Sequence, residues 1–446
     1  MYSLILNRFI LPWSDKILGL SVQKELELWR KVQRLSKDQL NDIQNENLKD
    51  LLNHCSKHVP YYIALAKKVN YNPESHPLIE LKKFPLLDKR LIKANLPDRI
   101  KDRSTRTYFV DHTSGSSGIR GEFHMDKPAY SKTLAIQLLW WEWAGYRLGD
   151  RVLQTGITPK RGVIKGLKDI LLRVRYISAY QISSDRMSNI LSKIRGTNFY
   201  FFIGFGSSLF AYAKFAREKG IHNIRFKSVI SWGDKMFSHY RKCIEEQFHT
   251  TVFDCYGSCE GMMIAAECEH HNYHIMSPHV FIEILDKEGR DVSPGEMGEI
   301  VVTRLDNFHM PLVRYRIGDL AVRADPNKKC VCGRHLPLLE RIIGRDTDLV
   351  YTPKGKTLVV HFFTGIFEHI KEIQQFQVVQ HTQDEIEIRY IPSSSFNSLC
   401  LNDIKKEIWN KANEEFRLRF SKVSSIAPSP SGKPQIVESK LAFRND

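Results

Sequence analysis

Apolar residues recur at three- and four-residue spacing through the first hundred residues, with charged residues between them. The segment LSVQKELELWRKVQRLSKDQLNDIQNENLKDLLNHCSKH (20–58) shows this pattern most clearly, and the spacing predicts amphipathic helices. Prolines then divide the pattern into short pieces, at Pro60, Pro73, Pro77 and Pro85. We therefore expect residues 1–100 to be mostly helical.

The pattern changes between Asp111 and Asp325, where short apolar runs alternate with helix-like segments. The runs RVLQTGI, NFYFFIGFG, FKSVISWG and TVFDCYG predict buried strands, whereas SSLFAYAKFAREKG is typical of a helix. Such alternation is typical of α/β layers. We therefore predict an α/β fold for the large N-terminal domain, which we place at residues 1–344.

A second change follows Gly344. The alternating segment VVQHTQDEIEIRYI predicts strands, LNDIKKEIWNKANEEFRLRF predicts a helix with apolar faces, and VSSIAPSPSGKPQIVESK follows. This order over roughly a hundred residues is typical of a small separate α+β domain. We place this C-terminal domain at residues 345–446.

Composition narrows the class of protein. With 446 residues and 42% hydrophobic content, the chain is long enough for two or three compact units. Its eight cysteines form no evenly spaced framework, and the start MYSLILNRFILPW lacks a cleavage site, so we expect a reducing, cytoplasmic location. No stretch approaches the roughly 18 to 20 apolar residues of a membrane span.

The formal net charge is +16, but Lys and Arg are spread along the whole chain. This distribution favours a solvated basic surface over a specific polyanion site. We expect no nucleic-acid partner, and at most a peripheral membrane contact through the apolar N-terminus.

Six consecutive small residues follow the apolar run RTYFVDH: Thr113, Ser114, Gly115, Ser116, Ser117 and Gly118. Glycines and hydroxyl residues allow backbone N–H groups and O–H donors to converge on phosphate oxygens. The segment is not a Walker loop, because no Gly-Lys-Ser/Thr ends it. It is a candidate phosphate-binding loop, and the alternative is a flexible Ser/Gly turn.

Three further segments follow in order: Asp254–Glu260 (DCYGSCE), Arg314–Leu320 (RYRIGDL) and Gly344–Asp348 (GRDTD). The first offers Tyr256 to stack on a purine, with Gly257 beside it, and Glu260 to hold a metal ion. The second offers Asp319, whose carboxylate suits ribose hydroxyls.

These segments, in this order and spacing, resemble the core motifs of the adenylate-forming superfamily of acyl-CoA synthetases and related ligases. The resemblance covers nearly the whole chain and is greatest to the phenylacetate-CoA ligase-like branch, which includes capsular-polysaccharide ligase homologues and coenzyme F390 synthetase. The matching segments are HVPYY at 58–62, ECEHH at 267–271, MPLVRYRIGDL at 310–320 and CVCGR at 330–334.

The resemblance implies a nucleotide site. Thr113–Gly118 would wrap the β- and γ-phosphates, Gly233 and Asp234 would border the adenine, and Tyr256 would stack on it. Glu260 would help to place Mg²⁺. Asp319 would bind the ribose hydroxyls, and Arg345 would contact ribose or phosphate near a hinge.

The resemblance also implies a mobile C-terminal domain, in which Lys433 would reach the α-phosphate and the carboxylate during adenylation. Two departures concern the phosphate contacts. Arg120-Gly121 stands where many members have Pro-Lys, and Cys259 stands where a Thr usually precedes the motif glutamate.

Thiols and imidazoles form a second constellation. Cys268, His274, Cys330 and Cys332 carry the ligand types that structural zinc prefers, and related phenylacetate-CoA ligase-like proteins imply the same set. His270 and His271 leave the choice of histidine open. The alternative is a group of reduced cysteines with solvent-facing histidines.

We therefore expect an adenylate-forming ligase that uses ATP and Mg²⁺ to convert a carboxylic acid to acyl-AMP, with coenzyme A as acceptor. Alternatives are acyl or aminoacyl transfer to a sugar amine or hydroxyl in surface polysaccharide biosynthesis, and AMP transfer as in coenzyme F390 synthetase. A non-catalytic nucleotide-binding protein is the alternative of a different class. The aromatic cluster Trp140, Trp141, Trp143 and Tyr146 either lines an acyl pocket or, as is commoner, forms core.

Overall fold

The computed structural model describes ten ranges of the chain: 2–96, 98–112, 121–156, 162–179, 184–196, 200–345, 349–354, 357–367, 370–427 and 435–439. Within these ranges it forms two compact units. The first contains the described residues up to Ile342, apart from Gly318–Leu320, and the second contains those three and the described residues from Ile343 onward. The predicted α/β class is confirmed.

The helices of the described residues are α1 (Tyr2–Ile5), the π-helical turn π1 (Leu6–Ile10), α2 (Leu11–Leu18), α3 (Val22–Val32), α4 (Lys37–His58), α5 (Pro60–Lys68), α6 (Pro77–Lys83), α7 (Lys89–Asn95), α8 (Lys127–Trp143), α9 (Gly162–Leu171), α10 (Ser184–Ile194), α11 (Gly206–Glu218), α12 (Ser238–Phe248), α13 (Val360–Phe367) and α14 (Cys400–Ala412).

The strands are β1 (Tyr108–His112), β2 (Glu122–Asp126), β3 (Arg151–Gly156), β4 (Val174–Ser178), β5 (Tyr200–Phe205), β6 (Val229–Trp232), β7 (Val252–Gly257), β8 (Met263–Glu267), β9 (Tyr273–Ile275), β10 (Val280–Leu285), β11 (Met297–Arg304), β12 (Tyr315–Arg323), β13 (Leu338–Arg345), β14 (Leu349–Tyr351), β15 (Thr357–Val359), β16 (Ile373–Thr382), β17 (Glu385–Pro392), β18 (Arg417–Lys422) and β19 (Val437–Ser439).

The helical N-terminal segment follows from its apolar spacing. Helix α4 begins at a capping box, in which the Ser36 hydroxyl accepts from the Gln39 backbone N–H and the Gln39 side chain accepts from the Ser36 N–H. Its apolar face, including Leu48 and Leu52, is fully buried in the core. Pro60 begins α5 at a position where the missing N–H costs nothing.

An eleven-stranded sheet forms the centre of the first unit, in the order β10-β11-β12-β13-β9-β8-β7-β6-β5-β3-β4. Strands β4, β3, β5, β6 and β7 run parallel to one another, whereas β8 pairs antiparallel with both β7 and β9. The four apolar runs named above supply β3, β5, β6 and β7. Because both faces of these strands are covered, their sequences are nearly continuous apolar runs.

The aromatic cluster on and after α8 belongs to this core. Trp140, Trp141, Trp143 and Tyr146 are all buried, and they pack with Phe201 of β5 and Val152 of β3. The interpretation of this cluster as core is therefore confirmed.

The second unit has a four-stranded sheet in the order β18-β17-β16-β19. Strands β16 and β17 form an antiparallel hairpin, and β18 and β19 add to its two sides in parallel. Ile404 and Ile408 of α14 are buried, as are Val378 and Ile388 of the hairpin. This strand, helix and strand content is that of a small α+β domain.

Among the described residues, every helix is too short or too polar to cross a bilayer.

Candidate functional site

Strands β1 and β2 form an antiparallel hairpin that flanks the candidate phosphate-binding loop in sequence, with Tyr108 opposite Asp126 and His112 opposite Glu122. Thr113–Gly118 themselves lie outside the described residues, as does Lys433. Arg345 is the last residue of β13, and the structure describes its backbone but not its side chain. Asp319 lies on β12 and is half-buried.

Gly233 and Asp234 follow β6, and Tyr256 and Gly257 end β7. Because β6 and β7 are parallel neighbours, with Trp232 opposite Cys255, these residues meet at the carboxyl edge of the sheet. Ligands of open α/β sheets bind at this edge. The structure thus brings together the three residues that are predicted to surround the adenine, Gly233, Asp234 and Tyr256, with Gly257 beside them.

Asp234 is held in one orientation. Its Oδ2 accepts from the Ser207 backbone N–H at 3.2 Å and from the Ser207 hydroxyl at 2.5 Å, at the N-terminus of α11. Gly233 has a φ of +74°, and a Cβ there would lie 2.7 Å from Cε1 of Phe205. A larger residue would therefore displace either the turn or the Phe205 ring.

Glu260 lies in the turn between β7 and β8, and only 4% of it is exposed. Its Oε1 accepts from the Tyr315 hydroxyl at 2.9 Å and lies 3.7 Å from Nζ of Lys89. The backbone of Leu87 exchanges two hydrogen bonds with β12 and its preceding residue, donating to the Arg314 carbonyl and accepting from the Arg316 N–H. This pairing fixes the start of α7, and with it Lys89, beside Glu260.

A ring of buried side chains holds the Glu260–Met263 turn, and we call it the arginine ring: Arg304, Asp306 and His279. Arg304 donates through Nη1 to the Glu260 carbonyl at 3.3 Å and through Nε to Oδ1 of Asp306 at 3.0 Å. Nδ1 of His279 lies 2.5 Å from Oδ2 of Asp306. The Met263 backbone N–H donates to Nε2 of His279 at 3.1 Å, which closes the ring.

The arginine ring has a defined charge state. Because Nε2 of His279 accepts the Met263 N–H, its proton is on Nδ1, which donates to Asp306. Burial lowers the pKa of His279 and keeps the imidazole neutral. Burial alone would raise the pKa of Asp306, but the Nδ1–H donor of His279 and the charges of Lys132 and Arg304 hold it below its ordinary value. The buried Arg304 cation is thereby matched by the Asp306 carboxylate.

Four potential metal ligands converge on the other side of β8. One ligand atom each from Cys268, His274, Cys330 and Cys332 lies within 4.8 Å of all the others. Sγ of Cys332 is 3.3 Å from Nε2 of His274, and Sγ of Cys268 is 3.6 Å from Sγ of Cys330. The latter distance is far longer than the roughly 2.05 Å of a disulfide.

The donor set fits zinc. Burial lowers the pKa of His274 to about 4, which keeps its imidazole neutral, as a metal ligand must be. Nδ1 of His274 lies 3.4 Å from the Leu336 carbonyl, a contact that orients Nε2 toward the thiols. By contrast, His271 contacts the Arg241 side chain and lies outside the cluster.

Comparison with known proteins identifies relatives of this chain. Residues 350–440 match the family model of the CapK C-terminal domain. The chain is 22% identical over 420 residues to Protein CapK of Staphylococcus aureus, which covers 91% of this chain and 90% of that protein. It is 23% identical over 385 residues to the phenylacetate-coenzyme A ligase of Thermus thermophilus, covering 82% and 84% of the two chains.

A solved structure of 2-hydroxyisobutyryl-CoA ligase in the postadenylation state, in complex with 2-HIB-AMP, shares the fold. Its TM-score is 0.74 at 19% identity, over 92% of this chain and 91% of that one. The resemblance to adenylate-forming ligases is therefore confirmed: the chain is similar in sequence both to CapK and to the phenylacetate-CoA ligases, and in fold to a CoA ligase.

Several residues near Glu260 were not predicted. Lys89 and Tyr315 contact the Glu260 carboxylate, and the arginine ring holds the backbone beside it. Tyr315 lies within the segment RYRIGDL (Arg314–Leu320), so its place in the sequence was a signal that it belongs to the site. The sequence contains no comparable signal for Lys89 or Arg304. Each resembles an ordinary surface cation, and only the fold brings it close to Glu260.

Proposed function

We propose that the protein uses ATP and Mg²⁺ to activate a carboxylic acid as acyl-AMP, and then transfers the acyl group to coenzyme A. The observation that carries this proposal is the grouping of Asp234, Tyr256 and Glu260 at one edge of the sheet, in a relative of phenylacetate-CoA ligases. Transfer to coenzyme A rests on the relatives' names and on the superfamily.

In the first half-reaction, a carboxylate oxygen attacks the α-phosphorus of ATP, and the bond from that phosphorus to the bridging oxygen breaks to release pyrophosphate. Two anions must approach, so cations and fixed donors at the phosphates lower the barrier. Glu260, oriented by Tyr315, is the residue that would hold Mg²⁺, which would neutralise phosphate charge. Lys89 adds a positive charge near the same carboxylate.

The remaining roles follow the superfamily pattern. Tyr256 stacks on the adenine, which Gly233 and Asp234 border. Asp319 binds the ribose hydroxyls, and Arg345 contacts ribose or phosphate. Thr113–Gly118 wrap the terminal phosphates. The C-terminal domain begins near Arg345 and rotates between the half-reactions, so that Lys433 reaches the α-phosphate only during adenylation.

The Cys268, His274, Cys330 and Cys332 cluster binds one structural zinc ion in this proposal. All four positions of a tetrahedral site are filled by protein, which is typical of structural and not of catalytic zinc. The ion would join the turn after β8 to β9 and to the segment that precedes β13.

A second acceptor class has its own support. Similarity to CapK extends over 91% of the chain, and the CapK C-terminal family model matches residues 350–440. This similarity favours transfer of the acyl or aminoacyl group to an amine or hydroxyl of a sugar-linked acceptor in surface polysaccharide biosynthesis.

The decisive experiment measures pyrophosphate release from ATP and Mg²⁺ across a panel of carboxylic acids, with hydroxylamine to trap acyl-AMP. Acid-dependent release with hydroxamate formation supports adenylation, and coenzyme A or amino sugars added afterwards separate the acceptors. A protein that binds ATP but releases no pyrophosphate with any acid is a nucleotide binder, and the proposal then fails.

Lys433→Ala tests the mechanism. Loss of one cation on the developing phosphate charge is expected to slow pyrophosphate release at least about 100-fold while ATP affinity changes little. Lys411→Ala, on an exposed face of α14, is the matched control and should keep the wild-type rate. An unchanged rate in Lys433→Ala would reject the assigned role.

A further inference from the structure

The N-terminal helix, defined as α1, π1 and α2 (Tyr2–Leu18), is fixed to the first unit by one of its sides. Leu6 is 1% exposed and packs so closely on Gly149 that a Cβ there would lie 2.5 Å from its Cδ1. The Tyr2 hydroxyl donates to the Leu171 carbonyl at 2.6 Å, and the Arg173 guanidinium lies 4.1 Å from the centre of the Tyr2 ring. The helix is therefore an anchored element.

The opposite side of this helix is also apolar. Residues four apart form an exposed stripe: Ile5 at 42%, Phe9 at 63%, Trp13 at 71% and Ile17 at 63%. An α-helix has about 3.6 residues per turn, so residues four apart drift gradually around its axis. The wider π-helical turn π1 offsets this drift and keeps the stripe on one side of the helix. A water-soluble helix with one packed face would carry polar residues here.

Helix α9 contributes a second exposed apolar stripe, with Leu167 at 67% and Ile170 at 75%. Its last residue, Leu171, accepts the Tyr2 hydrogen bond, so α9 adjoins the start of the N-terminal helix. We call them together the docking surface. An exposed apolar patch of this extent marks a binding surface for a protein or a membrane.

Charge identifies the partner. In the N-terminal helix and in residues 162–173, the exposed charges among the described residues are all positive: Arg8, Lys16, Lys165, Lys168 and Arg173. The two acidic residues of these segments, Asp15 and Asp169, are buried, and Asp15 accepts the Gln23 backbone N–H at 2.9 Å. Two exposed apolar stripes, on segments whose exposed charges are all positive, match an anionic lipid surface. A second copy of the chain would bring like charges together.

We propose that the docking surface lies in the interface of a membrane that contains anionic lipids. The N-terminal helix, about 25 Å long, would lie in the plane of that membrane, with Phe9, Trp13 and Ile17 among the acyl chains. Trp is the side chain that prefers this depth. The surface is separate from the Glu260 site, so docking does not depend on the proposed reaction.

The test is co-sedimentation with vesicles of phosphatidylcholine, with and without phosphatidylglycerol. We expect wild-type protein to bind the anionic vesicles, to bind neutral vesicles at least tenfold more weakly, and to dissociate as salt rises. The variant Phe9→Ser/Trp13→Ser should bind anionic vesicles at least tenfold more weakly, and Arg8→Glu/Lys16→Glu should also lose affinity. Pyrophosphate release by Phe9→Ser/Trp13→Ser, on soluble substrates, should be unchanged.

The control is Ile79→Ser, which removes another exposed apolar side chain, 60% exposed, and should bind as wild type does. Wild-type protein that stays in solution with anionic vesicles would overturn the proposal, as would equal binding by wild type and Phe9→Ser/Trp13→Ser. If light scattering shows a dimer that Trp13→Ser dissociates, while vesicle binding is absent, the surface joins two copies instead. None of these outcomes depends on ATP or acid, so they are independent of the adenylation test.

Discussion

The two ends of strand β8 are held in different ways, although only five residues separate them. Before the strand, the Glu260–Met263 turn is held by Arg304, Asp306 and His279, whose charges and hydrogen bonds are complete within the protein. After the strand, Cys268 belongs to a group of thiols and an imidazole that is complete only with a cation. The end beside Glu260 is therefore ordered by the chain alone, whereas the other end would depend on the proposed zinc ion.

The largest expected effect is at the first end. Arg304→Met leaves the buried Asp306 carboxylate without its nearer cationic partner and should lower the free energy of unfolding by about 3–5 kcal/mol. Urea unfolding measures this loss. Pyrophosphate release should also fall, because the Glu260 carbonyl loses its donor. The control is Arg290→Met, an exposed cation paired with Asp286, which should leave the free energy of unfolding nearly unchanged. Equal stability of the two variants would contradict the role of the ring.

A smaller effect is expected at the second end. Metal analysis of purified protein should show about one zinc ion per chain, and Cys332→Ser should weaken zinc binding at least about 100-fold. At a fixed zinc concentration, this corresponds to about 2–3 kcal/mol of unfolding free energy. Cys400→Ser, outside the cluster, should retain the metal. A fully folded wild-type protein that contains no metal would refute the zinc assignment.

The smallest effect concerns pH. Burial lowers the pKa of His279 below its ordinary value near 6.5. As pH falls, His279 is therefore protonated in the unfolded chain while it is still neutral in the folded protein. Stability is therefore lost as pH falls below about 6.5. Unfolding curves between pH 8 and 5.5 should show this slope. His279→Asn should flatten it, and the exposed His222→Asn should not; an equal slope in all three proteins would exclude His279 as its source.

Residue type, together with the family resemblance, was enough to group the residues at the second end. Cys268, His274, Cys330 and Cys332 are chemically restricted ligands, and the structure brings their ligand atoms together as the sequence predicted. The strands of the parallel half were predictable for a related reason, because burial on both faces leaves a continuous apolar run such as NFYFFIGFG.

The first end was not predictable, because its parts have no characteristic spacing. Arg304 follows the apolar run EIVVT and resembles any strand-terminal cation, while His279 lies 25 residues earlier in the chain. Only the pairing of β10 with β11, which places Val280 opposite Arg304, brings them together. The aromatic residues of α8 illustrate the converse: a pocket wall and a core have the same composition, so pattern alone could not separate them.

Gly261 shows what the arginine ring means for divergence of this chain. Its φ is +76°, and a Cβ would lie 2.1 Å from Sδ of Met125 and 2.6 Å from Nη1 of Arg304. Every side chain larger than hydrogen would thus push Arg304 away from the Glu260 carbonyl. Position 261 therefore favours glycine over every other residue. Changes in specificity would have to arise at other positions, because a substitution here disturbs the arginine ring.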